Sequence, residues 1–288
     1  MASDVIHISL FRVFSPKIPR SQSFLREQAV FGSIEKPPCG AFMIKDIKEQ
    51  KTGGLTGEMF KVGAHFGYSR ARRHPSTTPF IFTTKNRLDQ IDLEKTAEQL
   101  AIAKEFVKKL AEANKVLLIV GTKPEAASVV KDNAFKAGLP HQTQRWVGGT
   151  LTNFSEIRRR MDTLEELLEK KERGELEKYT KKERLLLDEK IDRLNRFFGT
   201  LLMLKRTPDA LFIIDSKHEK VAEAEARKMK IPVIALSDTD CDIHAIKYPI
   251  VGNDSARSSI EFFVKDILDT YKNSRPVVEK LPEETVKK

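Results

Sequence analysis

The clearest indication of the fold of this 288-residue chain is the stretch Val116-Leu117-Leu118-Ile119-Val120-Gly121-Thr122-Lys123-Pro124-Glu125. It begins with an uninterrupted run of β-branched residues and leucine, which is typical of a strand buried on both faces. Gly121 ends the strand. Thr122 and Glu125 form a capping-box pattern with Pro124 in the first turn, which predicts that a helix begins there. A buried strand that leads directly into a helix is the unit of a parallel α/β sheet.

The same alternation of strands and helices continues on both sides of this stretch. Upstream, a short strand is predicted at residues 80–83, followed by an amphipathic helix over residues 93–110. Downstream, the helix that begins at Pro124 is predicted to end near Gly138, and strands are predicted at 140–145, 211–214 and 233–236. A capping box of Ser216 and Glu219 predicts a helix that runs to Met229, and Asn253 with Asp254 caps a last helix. This alternation predicts a parallel sheet with helices on both faces.

One segment interrupts the alternation and predicts two antiparallel helices inserted between strands. Apolar residues recur at coiled-coil spacing over residues 157–168 and again over residues 187–201. A break at Gly174 separates the two runs, and Thr180 with Glu183 forms a capping box for the second helix. The segment is therefore predicted to be a coiled-coil αα-hairpin with solvated flanks.

Length and composition indicate a folded chain that attracts polyanions. The 288 residues suffice for one large domain or two ordinary ones, and 40% of them are hydrophobic, which argues against global disorder. The net charge of +10 favours nucleic acid as a partner, since no apolar run approaches the roughly 20 residues of a membrane-spanning helix. Cys39 and Cys241 form no C-x-x-C pair, which favours a reducing compartment.

The two ends of the chain read differently from the middle. Near the start, basic residues follow the apolar stretch, which is unlike a secretory signal. This segment could also be an organellar presequence. Another interpretation is that it results from an upstream start of translation, with Met43 or Met59 as alternative starts. The predicted divisions are a poorly ordered extension at 1–55, an α/β domain at 56–272 with the hairpin insertion at 153–204, and a disordered tail at 273–288.

Two cationic stretches with aromatic residues and glycines form the predicted RNA-binding surface. One is Arg145-Trp146-Val147-Gly148-Gly149-Thr150-Leu151-Thr152-Asn153, and the other lies within residues 59–88, which contain no carboxylate. Arginine pairs bidentately with phosphate, aromatic rings stack on bases, and hydroxyl and amide groups reach phosphate and 2′-hydroxyl oxygens. The alternative is a tryptophan buried in a glycine turn. The candidate RNA-binding residues are Arg70, Arg72, Arg73, Lys85, Arg145, Trp146, Gly148, Gly149, Thr150, Asn153 and Arg158.

Two loops at the carboxyl ends of predicted strands raise the alternative of an enzyme. Residues 121–123 could bind phosphate at a helix start, but they lack the established nucleotide-binding glycine patterns. Residues 238–242, with His244 close by, could hold a metal, although a polar turn is the favoured interpretation. Cys241 has no positioned base. No catalytic, cofactor or metal site is therefore predicted, and a cytosolic α/β enzyme that binds a phosphorylated small molecule stays the alternative function.

Several motifs, in order along the chain, resemble the ribosomal protein S-two family of the bacterial-type small subunit. The resemblance covers roughly residues 57–271. The motifs are Gly63-Ala64-His65-Phe66-Gly67, Asp92-Leu93-Glu94-Lys95-Thr96, Val120-Gly121-Thr122-Lys123, Arg145 to Phe154, Pro208-Asp209-Ala210, Asp238 to Asp242 and Gly252-Asn253-Asp254.

This resemblance implies a fold and a function. The fold would be a flavodoxin-like (Rossmann-like) parallel sheet with a protruding coiled-coil hairpin. The function would be structural, without catalysis or cofactor, in a small ribosomal subunit of the cytoplasm or, alternatively, of an organelle. The implied partners are small-subunit ribosomal RNA and neighbouring ribosomal proteins, including the S-one protein, and neither a membrane nor DNA.

The chain departs from the family pattern at several positions. Tyr68 stands where the family often has histidine, and residues 72–79 replace a stretch that holds a further aromatic residue and two lysines. RNA contacts are therefore not expected at residues 76–78. Asp240 and Ile243 replace asparagine and proline in the acidic turn.

Overall fold

The computed structural model describes residues 54–275. The predictions of a poorly ordered extension and of a disordered tail fall almost entirely on residues 1–53 and 276–288, outside the described residues. In chain order the elements are α1 (Leu55–Lys61), β1 (Phe66–Ser69), β2 (Ile81–Lys85), β3 (Leu88–Ile91), α2 (Leu93–Glu112), β4 (Leu117–Val120), α3 (Pro124–Ala137), β5 (His141–Gln142), α4 (Phe154–Glu172), α5 (Lys181–Phe198), β6 (Ala210–Ile214), α6 (Lys220–Lys228), β7 (Val233–Ser237), β8 (Tyr248–Val251) and α7 (Arg257–Ser274).

The central sheet confirms the predicted parallel α/β architecture. Its five strands lie in the order β5-β4-β6-β7-β8, and every neighbouring pair is parallel. Counted within this sheet alone, the order is 2-1-3-4-5, which is the flavodoxin-like arrangement. Strand β8 was not predicted from the sequence, because its run is short and contains Pro249, which is unusual inside a strand.

Helices cover both faces of this sheet because successive strand residues point to opposite sides. Leu117 and Ile119 of β4 lie in one apolar cluster with residues of α2, α3 and α7. Leu118 and Val120 lie in a second cluster with residues of α4, α5 and α6. Among the described helices, none combines the length and the apolar character that crossing a membrane requires.

A second, antiparallel sheet of order β1-β3-β2 precedes the parallel sheet in the chain. The strand predicted at residues 80–83 is β2 of this small sheet, and most of its residues are exposed. A two-residue turn joins β2 to β3, with Asn86 and Arg87 both at positive φ (52° and 65°), as tight hairpins favour. The sequence pattern did not indicate β1, β3 or α1, since these segments are short and carry mixed polarity.

Three of the predicted helix caps were wrong. The Thr122 hydroxyl donates to the Glu219 carboxylate instead of capping α3. The Ser216 hydroxyl lies 3.0 Å from that of Ser237, and α6 begins later, at Lys220. Asn253 accepts hydrogen bonds from main-chain nitrogens two and three residues ahead, but α7 begins only at Arg257. In each case a tertiary partner or a local turn competes for the polar side chain.

Two other local predictions had different outcomes. The capping box of Thr180 and Glu183 at the start of α5 is confirmed. The strand predicted at residues 140–145 is reduced to β5, which has two residues.

Helices α4 and α5 occupy the segment for which paired helices were predicted. The Lys171 ammonium near the end of α4 lies 2.7 Å from the Asp188 carboxylate in α5. Near the start of α4, Arg158 donates to the main-chain oxygens of Leu202 and Leu204, which follow α5. The two helices therefore run in opposite directions. That they form a protruding coiled coil stays a prediction.

Candidate nucleic-acid interface

A buried carboxylate organises residues 145–153, which we call the tryptophan loop. Glu225 of α6 accepts hydrogen bonds from the main-chain nitrogens of Gly149 at 2.7 Å and Leu151 at 3.0 Å. It also accepts from the Trp146 indole nitrogen at 3.4 Å. Burial alone would raise the pKa of Glu225, but the hydrogen bonds from the loop outweigh it and hold that pKa below its usual value. A loop without acids of its own is thus held by an acid from a distant helix.

The structure places Trp146 and Thr150, two of the predicted RNA contacts, inside the protein. The Trp146 side chain is only 7% exposed and lies in the apolar cluster beneath α4 and α6, so it has no free ring face for a base. The Thr150 hydroxyl is buried and donates to the Val147 carbonyl oxygen at 2.6 Å. Burial in a glycine turn, the alternative reading of Trp146, is therefore confirmed.

The glycines of the tryptophan loop differ in role. Gly149 has a φ of 95°, a left-handed conformation that other residues rarely adopt, and the turn toward Glu225 depends on it. Gly148 is exposed, and a Cβ atom added there would lie 3.9 Å from the Glu225 carboxylate, its nearest neighbour. Arg145 and Asn153 are also exposed, so these three residues form the outer surface of the loop.

Arg158, another predicted RNA contact, has its guanidinium held by neighbouring groups of the protein. It lies 2.8 Å from the Asp162 carboxylate and 3.0 Å from that of Glu165, in addition to its bonds to the main chain after α5. These contacts fix the base of the helix pair. Together they engage four of the five N–H groups of the guanidinium, so little of it is left for a phosphate.

Arg73, also a predicted RNA contact, is paired with a carboxylate of the protein. Its guanidinium forms a two-pronged contact with Asp89, with Nε to Oδ2 at 2.7 Å, and the Asp89 side chain is fully buried. The hydrogen bond from Arg73 holds the pKa of Asp89 below its usual value. Asp89 lies one residue beyond the acid-free stretch, and β3 brings it back beneath Arg73. This pair therefore ties the segment after β1 to the antiparallel sheet.

Four other cations of the same region remain exposed. We call Arg70, Arg72, Lys85 and Arg87 the cationic corner. The Arg70 main-chain nitrogen donates to the Arg87 carbonyl oxygen at 3.1 Å, which places the residues after β1 beside the β2–β3 turn. Among residues 54–275, these four side chains form no salt bridge. Arg87 was not a candidate from the sequence, although its place in the turn after Lys85 was a usable signal.

An aromatic stack lies next to this region. The ring centroid of His65 is 4.3 Å from that of Phe60 and 4.0 Å from that of Phe66. Phe60 is 60% exposed and Phe66 is 48% exposed, so the outer rings face solvent. Burial lowers the pKa of His65, which favours the neutral ring. Contacts with the two phenylalanine rings account for the position of the His65 ring, whereas about half of Phe66 stays exposed.

The carboxyl ends of β4, β6, β7 and β8 meet at a cluster of charges. The Lys123 ammonium lies 2.9 Å from Asp254 and 3.3 Å from Asp215. Burial would lower the pKa of Lys123, but these carboxylates outweigh it and raise that pKa. Burial, strengthened by the charge of Asp254, raises the pKa of Asp238 to about 8. A lysine already neutralised by two carboxylates is not available to a phosphate.

Other groups lie in the same crevice, at the carboxyl ends of β4, β6, β7 and β8, and they also do not favour binding of a small molecule. Burial raises the pKa of Cys241 to about 12, which leaves it an inert thiol. The donor atoms of Asp215, Cys241 and Asp254 lie within 4.8 Å of one another, but the Lys123 ammonium already supplies their cation. The main-chain nitrogen of Tyr68 donates to the Thr239 hydroxyl, so β1 covers the crevice. This closed, acidic crevice does not favour an anionic small molecule.

Comparisons with known proteins agree with this architecture. The sequence model of the family described as ribosomal protein S2 matches residues 59–274. The "Small ribosomal subunit protein uS2" of Chloroflexus aggregans is 42% identical over 212 residues, which cover 74% of this chain and 89% of the relative. The protein of that name from Roseiflexus sp. is 43% identical over 73% of this chain and 80% of its own. The protein of that name from Helicobacter hepaticus is 38% identical over 76% of this chain and 83% of its own length.

Proposed function

Since this chain belongs to the ribosomal protein S2 family, we propose that it is a structural component of a bacterial-type small ribosomal subunit and binds ribosomal RNA. The match of the family to residues 59–274, which span every strand of both sheets, carries the proposal. Family membership implies a non-enzymatic role. The parallel sheet is then a scaffold without the ligand crevice that such sheets often provide.

The cationic corner is the proposed main RNA contact. Arg70, Arg72 and Lys85 keep their predicted role and are joined by Arg87, because their side chains are exposed and, within residues 54–275, form no salt bridge. Cations of this kind neutralise backbone phosphates and release counterions. Exposed Arg145, Gly148 and Asn153 of the tryptophan loop form a second contact. The remaining candidates act as positioning residues: Arg73, Trp146, Gly149, Thr150 and Arg158.

The helix pair and the setting complete the proposal. Helices α4 and α5 would form a coiled-coil hairpin that projects from the α/β domain and is available to RNA or a neighbouring protein. The proposed partners are small-subunit ribosomal RNA and adjacent ribosomal proteins, the S-one protein among them. The proposed location is the ribosome of the cytoplasm, with an organellar ribosome as the alternative. Divisions at residues 56, 153–204 and 272 are retained as the proposed limits, although α7 continues to Ser274.

Sedimentation of the tagged full chain with small subunits tests this function. We expect the wild-type protein to sediment with the small subunit, and Arg70→Ala/Arg72→Ala to be released at lower salt, because two phosphate contacts are lost. Each lost charge-assisted contact is expected to weaken binding by about tenfold. The control is Lys265→Ala/Lys272→Ala, which removes two exposed charges from α7.

The possible results separate the ribosomal role from the assigned surface. Wild-type protein that stays at the top of the gradient, away from ribosomal particles, would refute the ribosomal role. If both double variants behave like the wild type, the protein is ribosomal but the cationic corner is not its RNA contact.

A further inference from the structure

A second cationic site lies at the opposite, amino-terminal edge of the parallel sheet. A cleft of about 220 Å³ opens between the end of α6 and the segment that leads into β8. Its charged lining residues are Glu223, Arg227, Lys230 and Lys247, and its apolar floor includes Ile231 and Ala245. None of these residues belongs to the cationic corner or to the tryptophan loop. We call this site the amino-edge cleft.

The amino-edge cleft and the tryptophan loop use different sides of α6. Glu223, Arg227 and Lys230 recur at spacings of four and three residues, which places them along one side of the helix and its end. Glu225 lies two residues from both Glu223 and Arg227, and it faces the tryptophan loop instead. The two sites are therefore separate surfaces joined by one helix.

Two of the three cations in the cleft are unpaired. Arg227 is held by Glu223 one helical turn earlier, so its charge is largely neutralised. Among the described residues, Lys230 and Lys247 form no salt bridge, and both are exposed. The Lys247 ammonium lies 5.7 Å from the centre of the Tyr248 ring, which itself stacks on Phe106 of α2 and is not part of the cleft. Two free ammonium groups beside an apolar floor suit a ligand with a negative charge and an apolar part.

The end of α6 fixes the position of Lys230. Lys230 follows α6 with a φ of 57°, a left-handed position that glycine or asparagine occupies in most helix ends. The main-chain nitrogen of Ile231 then donates to the Ala226 oxygen at 2.9 Å, which closes the helix end and fixes the position of Lys230. A lysine here accepts backbone strain that glycine would avoid.

We propose that the amino-edge cleft binds one nucleotide of a ribosomal RNA strand, with its phosphate between Lys230 and Lys247 and its sugar on the apolar floor. This inference rests on the proposed function and adds an RNA contact distant in sequence from the first. A volume of about 220 Å³ is below the roughly 300 Å³ of common small-molecule pockets, so it suits a single sugar-phosphate unit. Lysine acts as a point charge that tolerates any base, as backbone recognition requires.

A binding experiment over a salt series tests the proposal. It measures the affinity of the full-length protein for small subunits that have been stripped of their own copy of this protein. Lys230→Glu/Lys247→Glu is expected to weaken binding about tenfold or more and to reduce the salt slope by about two. The matched control is Lys265→Glu/Lys272→Glu on α7, which makes the same change in net charge outside the cleft. It is expected to leave the slope unchanged.

A second variant separates the charge of Lys230 from its effect on folding. Lys230→Gly relieves the left-handed strain, so it is expected to fold at least as well as the wild type while the salt slope falls by about one. An unchanged slope in both cleft variants would overturn the proposal. Weaker binding without a change of slope would also overturn it, since that result indicates a protein partner. Wild-type protein that does not bind stripped subunits would instead refute the ribosomal function itself.

Discussion

At the scale of single residues, burial and partners decide what an arginine does. Arg70 and Arg73 lie three residues apart in the same acid-free stretch, yet Arg70 is exposed and Arg73 contacts fully buried Asp89. Breaking a buried pair leaves an uncompensated charge, whereas losing an exposed one costs the fold little. Arg70 is thus suited to an exchangeable RNA contact, and Arg73 to holding the sheet that presents it.

Glu225 is the residue on which the tryptophan loop depends. Replacing it as Glu225→Gln places an amide donor against the main-chain donors of the loop, which is expected to destabilise the protein by about 1–3 kcal/mol. Because the hydrogen bonds hold the folded pKa of Glu225 below its usual value of 4.5, this stabilisation is present above about pH 4.5 and is lost as the pH falls through the lower, folded value.

Urea unfolding at pH 7 and at pH 3 measures this effect. The exposed residue Glu98 supplies the control, and Glu98→Gln is expected to match the wild type at both values. A Glu225→Gln protein as stable as the wild type at pH 7 would show that the loop holds its shape without the carboxylate.

At the scale of elements, the antiparallel sheet covers the carboxyl end of the parallel sheet. The main-chain nitrogen of Tyr68 donates to the Thr239 hydroxyl at 3.1 Å, and that of His74 donates to the Thr239 oxygen at 2.8 Å. The Thr77 hydroxyl donates to the same oxygen at 2.8 Å. Thr239 is therefore where the segment from β1 to β2 attaches, and the cationic corner is positioned by this attachment.

Close approach at Gly67 should make this attachment sensitive to one added methyl group. A Cβ atom at Gly67 would lie 2.7 Å from the Thr239 methyl carbon, so Gly67→Ala is expected to destabilise the protein by about 1–3 kcal/mol. Hydrogen exchange should show faster exchange at Tyr68 and His74, whose amides donate to Thr239. Gly54→Ala is the control, since an added Cβ atom there meets nothing within 4 Å. Unchanged protection of both amides would contradict this role of Gly67.

At the scale of the whole molecule, four strands place their carboxyl ends around one buried cluster of acids. Lys123 pairs with two of these acids, and the pKa of Asp238 is raised to about 8 by burial and by the charge of Asp254. Burying an acid favours its neutral form, so the cluster costs stability when it ionises. The contribution of Asp238 to stability should therefore fall as the pH rises from its ordinary pKa of 3.8 through its folded pKa of about 8.

Asp238→Asn is expected to remove much of this pH dependence. The folded pKa of Asp238 is raised from 3.8 to about 8, so its protonated form supports the fold at low pH and that support is lost as the pH rises through 8. The difference in free energy of unfolding between the variant and the wild type should be at least about 2 kcal/mol more in favour of the variant at pH 9 than at pH 5. Chemical unfolding at the two pH values measures this, with exposed Asp269→Asn as the control. Parallel pH profiles for wild type and Asp238→Asn would contradict a buried neutral acid.

Elements with local sequence patterns were predictable without the structure. The apolar run at residues 116–120, the helical spacing over 93–110 and the capping box of Thr180 predicted β4, α2 and the start of α5, because strand burial, amphipathicity and capping act within a few residues. The motif resemblance likewise identified the family. Short strands such as β1 and β8 escaped prediction, since their stability comes from neighbouring strands instead of their own composition.

Which candidate side chains face solvent depends on contacts between distant parts of the chain. Trp146, Arg73 and Arg158 appeared suited to RNA because the acids that engage them, or the core that buries them, could not be assigned to them from the sequence. Glu225 lies more than seventy residues beyond the loop that it holds, and no local pattern links the two. Ion pairing and burial depend on distances in space, whereas sequence patterns report only neighbours along the chain.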